Sequence, residues 1–132
     1  MKFERMNPPG ILNHPGFTRI ITVSGPAKMI FISGMTPEDE NAEPVHVGDM
    51  KGQYLFIMEN LTKQLEAAGA TWEDVTYRRL FLTDVPGFQK MRRENTFPKY
   101  YNDPSCSTMI GVTALAHPDF MIEMDLMAAV PE

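Results

Sequence analysis

The residues with the clearest chemical potential lie near the C-terminus. In Met121-Ile122-Glu123-Met124-Asp125-Leu126 the strict alternation predicts a strand with Ile122, Met124 and Leu126 on one face. Glu123 and Asp125 then share the other face, roughly 7 Å apart at about 3.3 Å of rise per residue. Two carboxylates at that spacing can hold a water or raise one another's pKa, the requirement for general acid–base work. They would equally serve as ion-pair partners on a neighbouring strand, for which Arg78 and Arg79 are candidates. A second group, Pro104-Ser105-Cys106-Ser107-Thr108, places hydroxyls and a thiol where a loop enters a strand. A thiolate nucleophile needs a base or cation beside it, and no histidine is adjacent in sequence, so a turn with a half-buried thiol is the plainer reading. Arg19, Arg92 and Arg93 could fork onto a small carboxylate, or could be a solvated face.

Other chemistries find no support. His14, His46 and His117 are far apart, and Cys106 is the single cysteine, so neither a protein-built metal site nor a disulfide is expected. No phosphate-cradling glycine loop, Rossmann fingerprint or nucleophile elbow occurs, so the common nucleotide-binding motifs are absent. Twelve basic against seventeen acidic residues give a net charge of −5, which weighs against nucleic acid as a partner. The lone cysteine, the charged and proline-rich start and the absence of any long apolar run predict a cytoplasmic chain with no membrane association.

The elements that must position these groups fit one domain over residues 1–132, with 1–13 as an extended lead-in. Thr18–Val23 and Met29–Ser33 flank Ser24-Gly25-Pro26-Ala27 and predict a β-hairpin. The acidic stretch Glu38-Asp39-Glu40 reads as a surface loop. Asp49 caps a helix whose Tyr54, Ile57, Met58, Leu61, Leu65 and Ala68 repeat at helical spacing, with Gly69 at its end. Val75–Thr83 predicts a strand, broken by Pro86-Gly87, and Phe88 to about Tyr101 a helix strained by Pro98. Two strands, Ser107–Thr113 and Phe120–Ala129, complete an α+β order with two helices covering one face of a mixed sheet. The other face, also apolar, should meet another subunit, and eleven methionines suit broad apolar surfaces.

These segments resemble a family. Phe31-Ile32-Ser33-Gly34-Met35-Thr36-Pro37, Leu65-Glu66-Ala67-Ala68-Gly69-Ala70, Phe81-Leu82-Thr83-Asp84-Val85, Gly111-Val112-Thr113-Ala114-Leu115 and Ile122-Glu123-Met124-Asp125 occur in the order of the Rid family. That family, the reactive intermediate deaminases, is YjgF-like and also labelled endoribonuclease L-PSP. The resemblance runs from about His14 to Val130. It implies a chorismate-mutase-like fold and a homotrimer with a central barrel and three clefts between subunits. It also implies hydrolysis of enamine or imine intermediates to a 2-oxoacid and ammonia, without metal or cofactor. Glu123 matches the family's water-orienting glutamate, and Phe17 stands where a tyrosine is usual. Met35 and Met109 fall near the cleft. The arginine that grips the substrate carboxylate has no counterpart: its position falls on Ser107, or on Cys106 with a one-residue gap. Arg92 or Arg19 would have to supply the anchor from elsewhere, and the usual 2-iminoacid activity is thereby put in question. The expected function is a deaminase-type hydrolase of a small metabolite. A non-catalytic ligand-binding or regulatory trimer is the alternative, and an endoribonuclease the third.

Overall fold

The computed structural model describes residues 1–98 and 105–132. In chain order the elements are β1 (Lys2–Met6), β2 (Ile20–Ser24), β3 (Ala27–Met35), α1 (Met50–Ala67), a 3-10 turn (Trp72–Asp74), β4 (Val75–Leu82), α2 (Val85–Glu94), β5 (Cys106–Gly111) and β6 (Ile122–Pro131). Four strands form a mixed sheet in the order β3-β6-β4-β5, antiparallel except for the parallel pair β4–β5. A parallel pair needs a crossover, and α2 lies in the connection.

One sheet face carries the core. Ile30 and Ile32 of β3, Leu80 and Leu82 of β4, and Ile122, Met124, Leu126 and Ala128 of β6 are buried against Tyr54, Ile57, Met58, Leu61 and Leu65 of α1 and Phe88 and Met91 of α2. The period of two on the strands meets the period of 3.6 on the helices, and this fixes the α+β architecture. The opposite face is open: Phe31 is 72% exposed, with Met29 and Met127 also outward. No described helix is long and apolar enough to cross a membrane.

The helix ends follow their caps. Asp49 Oδ1 accepts from the Gly52 N–H at 2.9 Å, and Gly69 (φ 79°) lets the chain leave α1 in a left-handed turn. Gln53, fully buried on α1, donates to the Asp119 carbonyl at 2.8 Å and accepts from the Met121 N–H at 2.9 Å, tying the entry of β6 to the helix.

Two expectations are corrected. The predicted hairpin does not form: β2 pairs with β1, while β3 pairs with β6 from Ala27 to Met35. Pro26 offers no N–H and Gly25 sits at φ 82°, so the turn passes the chain from one sheet to the other. The extended lead-in carries β1 at Lys2–Met6, whose charged residues around Phe3 give little apolar signal. The second helix starts at Val85 rather than Phe88 and ends at Glu94, well before Pro98. Pro86 lies in its first turn, where no N–H is required, and Asp84 caps Gly87 at 3.0 Å. The expected end at Tyr101, like Pro104 of the loop–strand motif, lies outside the described residues.

Candidate functional site

The β4–β5 ladder places Arg78 directly opposite Ser107, with Leu80 opposite Met109. Paired residues on neighbouring strands point to the same face, and Arg78 shares the phase of buried Leu80 and Leu82. An arginine therefore emerges on the helix-covered side of the sheet, at its β5 edge. Its Nε lies 3.4 Å from Ser107 Oγ, and its other end donates to the Gly16 carbonyl at 3.3 Å.

This guanidinium enters a cavity of about 570 Å³. The floor is Leu80, Phe88 and Met109; Gly16 and Phe17 form one wall, and Gln89, Arg92 and Arg93 of α2 form another. Arg92 donates from Nη1 to the Tyr54 hydroxyl at 2.9 Å and stacks over the rings of Tyr54 and Phe97. Burial pushes the Tyr54 phenol above its usual range, against the opposing pull of Arg92 and Arg78, so it stays protonated at neutral pH. Two guanidinium groups from different elements thus act on one phenol in a half-buried, largely apolar setting. Such a setting favours a small anion, because charge-assisted hydrogen bonds strengthen as water is excluded.

Glu123 lies elsewhere in the same chain. It pairs with Phe81 across the β4–β6 ladder, on the open sheet face, and the sheet separates it from the Arg78 cavity. Its carboxylate rests against Gly34, where even a Cβ would overlap it. Desolvation raises its pKa above the usual carboxylate value, and the charges of Asp125 and Glu38 add to the rise. Asp125 is held by Arg79 in a two-pronged pair at 3.0 and 2.6 Å. The two carboxylates of β6 therefore have different environments: one is paired, the other protonates more readily.

The remaining sequence candidates are dispersed. Phe17, Arg92, Ser107 and Met109 come together at the cavity. Arg19 stacks on Phe17 but directs its Nε to the Leu12 carbonyl at 2.9 Å, outside the cavity lining. The Cys106 thiol turns to the Arg19 carbonyl at 3.7 Å. Met35 lines a different, acidic depression with Glu38, Asp39 and Glu59. Arg78 and Tyr54 were not among the binding candidates. The available signal was an arginine in phase with the apolar residues of a strand, where a solvated side chain would not be expected.

Among the described residues no three His, Cys, Asp or Glu side chains cluster as a metal site.

Comparison with known proteins agrees with this architecture. The chain is 29% identical over 102 residues to the 3-aminoacrylate deaminase RutC of Acinetobacter baylyi, covering 77% of this chain and 79% of that protein. Among solved structures it resembles the Rid-family protein YyfB of Yersinia pestis, described as of unknown function, at a TM-score of 0.82 and 27% identity over 98% of this chain and 100% of that one. A Mycobacterium tuberculosis member of the YjgF/YER057c/UK114 family matches at a TM-score of 0.60 and 25% identity over 87% of each chain. The family model described as endoribonuclease L-PSP matches residues 16–130, nearly the whole length, and the chain belongs to that family, the Rid/YjgF proteins.

Proposed function

We propose that the chain is a cytoplasmic, homotrimeric deaminase-type hydrolase acting on a small enamine or imine carboxylic acid. One observation carries this reading: Arg78 stands opposite Ser107, with its Nε 3.4 Å from the Ser107 hydroxyl, and Ser107 is where the family's carboxylate-binding arginine would fall on an ungapped reading, or Cys106 with a one-residue gap. In this reading the cation stands one strand across the sheet from its usual place. Similarity to a 3-aminoacrylate deaminase supports the same reaction class.

In this reading the substrate carboxylate lies on the Arg78 guanidinium, with Arg92 and the protonated Tyr54 behind it. Leu80, Phe88 and Met109 exclude water from its carbon chain. Glu123 comes from the open sheet face of a neighbouring copy and, as a carboxylate, takes a proton from the attacking water. The water oxygen bonds to the imine carbon and the C=N pair moves to nitrogen. The proton passes to that nitrogen, giving a carbinolamine; Glu123 then takes the hydroxyl proton and hands it to the amino nitrogen, the C–N bond breaks as the C=O bond forms, and ammonia leaves a 2-oxoacid. The protein contributes placement and fixed charge, so no cofactor is required.

The test is release of ammonia and 2-oxoacid from an iminoacid generated in situ. Turnover above the buffer rate that is lost in Glu123→Ala, with the trimer intact, is expected; a wild-type rate equal to buffer overturns the reading. The separation of Glu123 from the cavity within one chain favours a second reading, a non-catalytic ligand-binding trimer. That reading predicts binding of carboxylates with no product formed.

A further inference from the structure

His14 stands in the cavity without a part in the chemistry above. It lines the space beside Gly16 and Phe17, and local contacts fix its ring. The His14 carbonyl accepts from the Phe17 N–H at 3.3 Å, closing a tight turn in which Pro15 presets the backbone. The imidazole stacks on Phe17, with ring centroids 5.5 Å apart and planes inclined by 13°. Its Nδ1 accepts from the Gly16 N–H at 2.9 Å. A Cβ on Gly16 would lie 3.0 Å from that same nitrogen, so the glycine lets the ring edge come down onto the backbone. The turn is itself pinned in place. The Thr18 N–H donates to the Ser105 carbonyl at 3.1 Å, and Arg78 donates to the Gly16 carbonyl at 3.3 Å.

These contacts decide the tautomer. With Nδ1 accepting, the proton of the neutral imidazole is on Nε2. Among the described residues Nε2 has no partner, and the side chain is exposed. A side chain serving only to close the turn needs an acceptor at the Nδ1 position, which asparagine or aspartate supplies. The stacked ring carries a second polar atom beyond that need, and holds it at the cavity wall.

We propose that His14 is a ligand-binding residue of this cavity, donating a hydrogen bond from Nε2–H to a carboxylate oxygen of the ligand. The proposal rests on the reading of this cavity as the substrate site, but it concerns binding and does not require turnover. Arg78 bonds the Gly16 carbonyl, so a carboxylate against Arg78 lies next to the turn that carries His14. A donor of fixed direction on the Phe17 wall then orients the carboxylate that the guanidinium attracts, and with it the adjacent carbon.

The experiment is titration calorimetry of the protein with 2-oxopentanoate and with pentanoate, which keeps the carboxylate and lacks the oxo group. His14→Asn keeps an acceptor near the Nδ1 position and lacks Nε2, whereas His14→Gln carries its amide near Nε2 and lacks the Nδ1 acceptor. We expect His14→Asn to bind both acids about tenfold more weakly with little change in melting temperature, the order of one hydrogen bond to a charged group. His14→Gln should bind more tightly than His14→Asn, although it loses the bond that closes the turn. A purely structural role gives the opposite order. Wild-type affinity in His14→Asn, a Gln variant no better than Asn, an effect confined to 2-oxopentanoate, or no binding of either acid by the wild type each overturns the proposal. Turnover of an iminoacid with binding indifferent to His14 would sink this inference alone. His14-dependent binding without any hydrolysis would sink the deaminase reading alone.

Discussion

If Arg78 supplies the anchor that Ser107 lacks, returning the guanidinium to Ser107 should restore what its removal from Arg78 destroys. Arg78→Ser deletes a charge-assisted contact worth about 1.5–3 kcal/mol, which corresponds to a loss of about 10- to 150-fold in kcat/KM. The two positions face one another in the β4–β5 ladder, on strands about 4.8 Å apart, and already touch through Nε and Oγ at 3.4 Å. That separation is short against an extended arginine side chain, so Arg78→Ser with Ser107→Arg should carry the charge to nearly the same point of the cavity. We expect the double variant to regain most of the lost kcat/KM, although each substitution alone is harmful. Ser107→Arg alone crowds a second guanidinium against Arg78 and should weaken binding through like-charge repulsion. The assay is oxoacid release at several substrate concentrations, with thermal melting to check that each variant folds. Strong coupling between the two substitutions is the signature of one shared interaction. Wild-type kcat/KM in a folded Arg78→Ser protein refutes the reasoning, as does a folded double variant no better than Arg78→Ser.

Other consequences concern the open face of the sheet. Gly34→Ala drives a methyl group into the Glu123 carboxylate, the far end of a flexible side chain, so kcat should fall at least tenfold while the melting temperature changes little; unchanged kcat removes Glu123 from the chemistry. Burial, then Asp125 and Glu38, raise the Glu123 pKa, and the carboxylate is the acting form, so activity should fall as pH drops through that raised value. Asp125→Asn removes the nearest like charge and leaves Arg79 cationic, so the acid limb of the kcat/KM profile should move to lower pH; a limb that stays in place refutes the assignment. Phe31→Asp places a charge on the edge strand β3 of the open face, where Phe31 is 72% exposed in the single chain, and should convert the expected oligomer to monomers on size-exclusion chromatography. An unchanged elution volume would mean that this face is not the contact.

What the sequence disclosed, and what it hid, follows from the range of each interaction. α1 was legible because its cap, its apolar stripe and its terminal glycine are all local, and the structure places them at Asp49, Tyr54–Leu65 and Gly69. The alternation of Ile122, Met124 and Leu126 was legible for the same reason, and their burial follows it. The partner of β2 was not legible, since Phe3 amid charged neighbours gives no strand signal and pairing is decided by what else can reach that edge. Pro86-Gly87 was misread because proline ends a strand and begins a helix with equal ease, and only the Asp84 cap distinguishes the two. The candidate site divided along the same line. Phe17, Arg92, Ser107 and Met109 reach the cavity, whereas Arg19 is drawn off by a local carbonyl that no motif shows.

If Arg78 is the anchor, its placement explains how a motif read along the chain can fail while its chemistry survives. An anion site needs a guanidinium at a point in space, and a parallel ladder offers two backbone positions equally close to that point. Both strands present the same face there, so an arginine on either one enters the same cavity, while a shift of one residue along a strand would send it to the opposite face. An exchange of the arginine between β4 and β5 would therefore be conservative in three dimensions and drastic in sequence. It also changes the direction of approach. From β5 a guanidinium would project from the sheet edge, whereas from β4 it rises beside Tyr54 and the arginines of α2. Moving the cation inward brings it into the field of a second positive group. If Arg78 is the anchor, a ligand meets it from a different side than it would meet an arginine on β5, and the specificity of the site should follow the position of Arg78 as much as its presence.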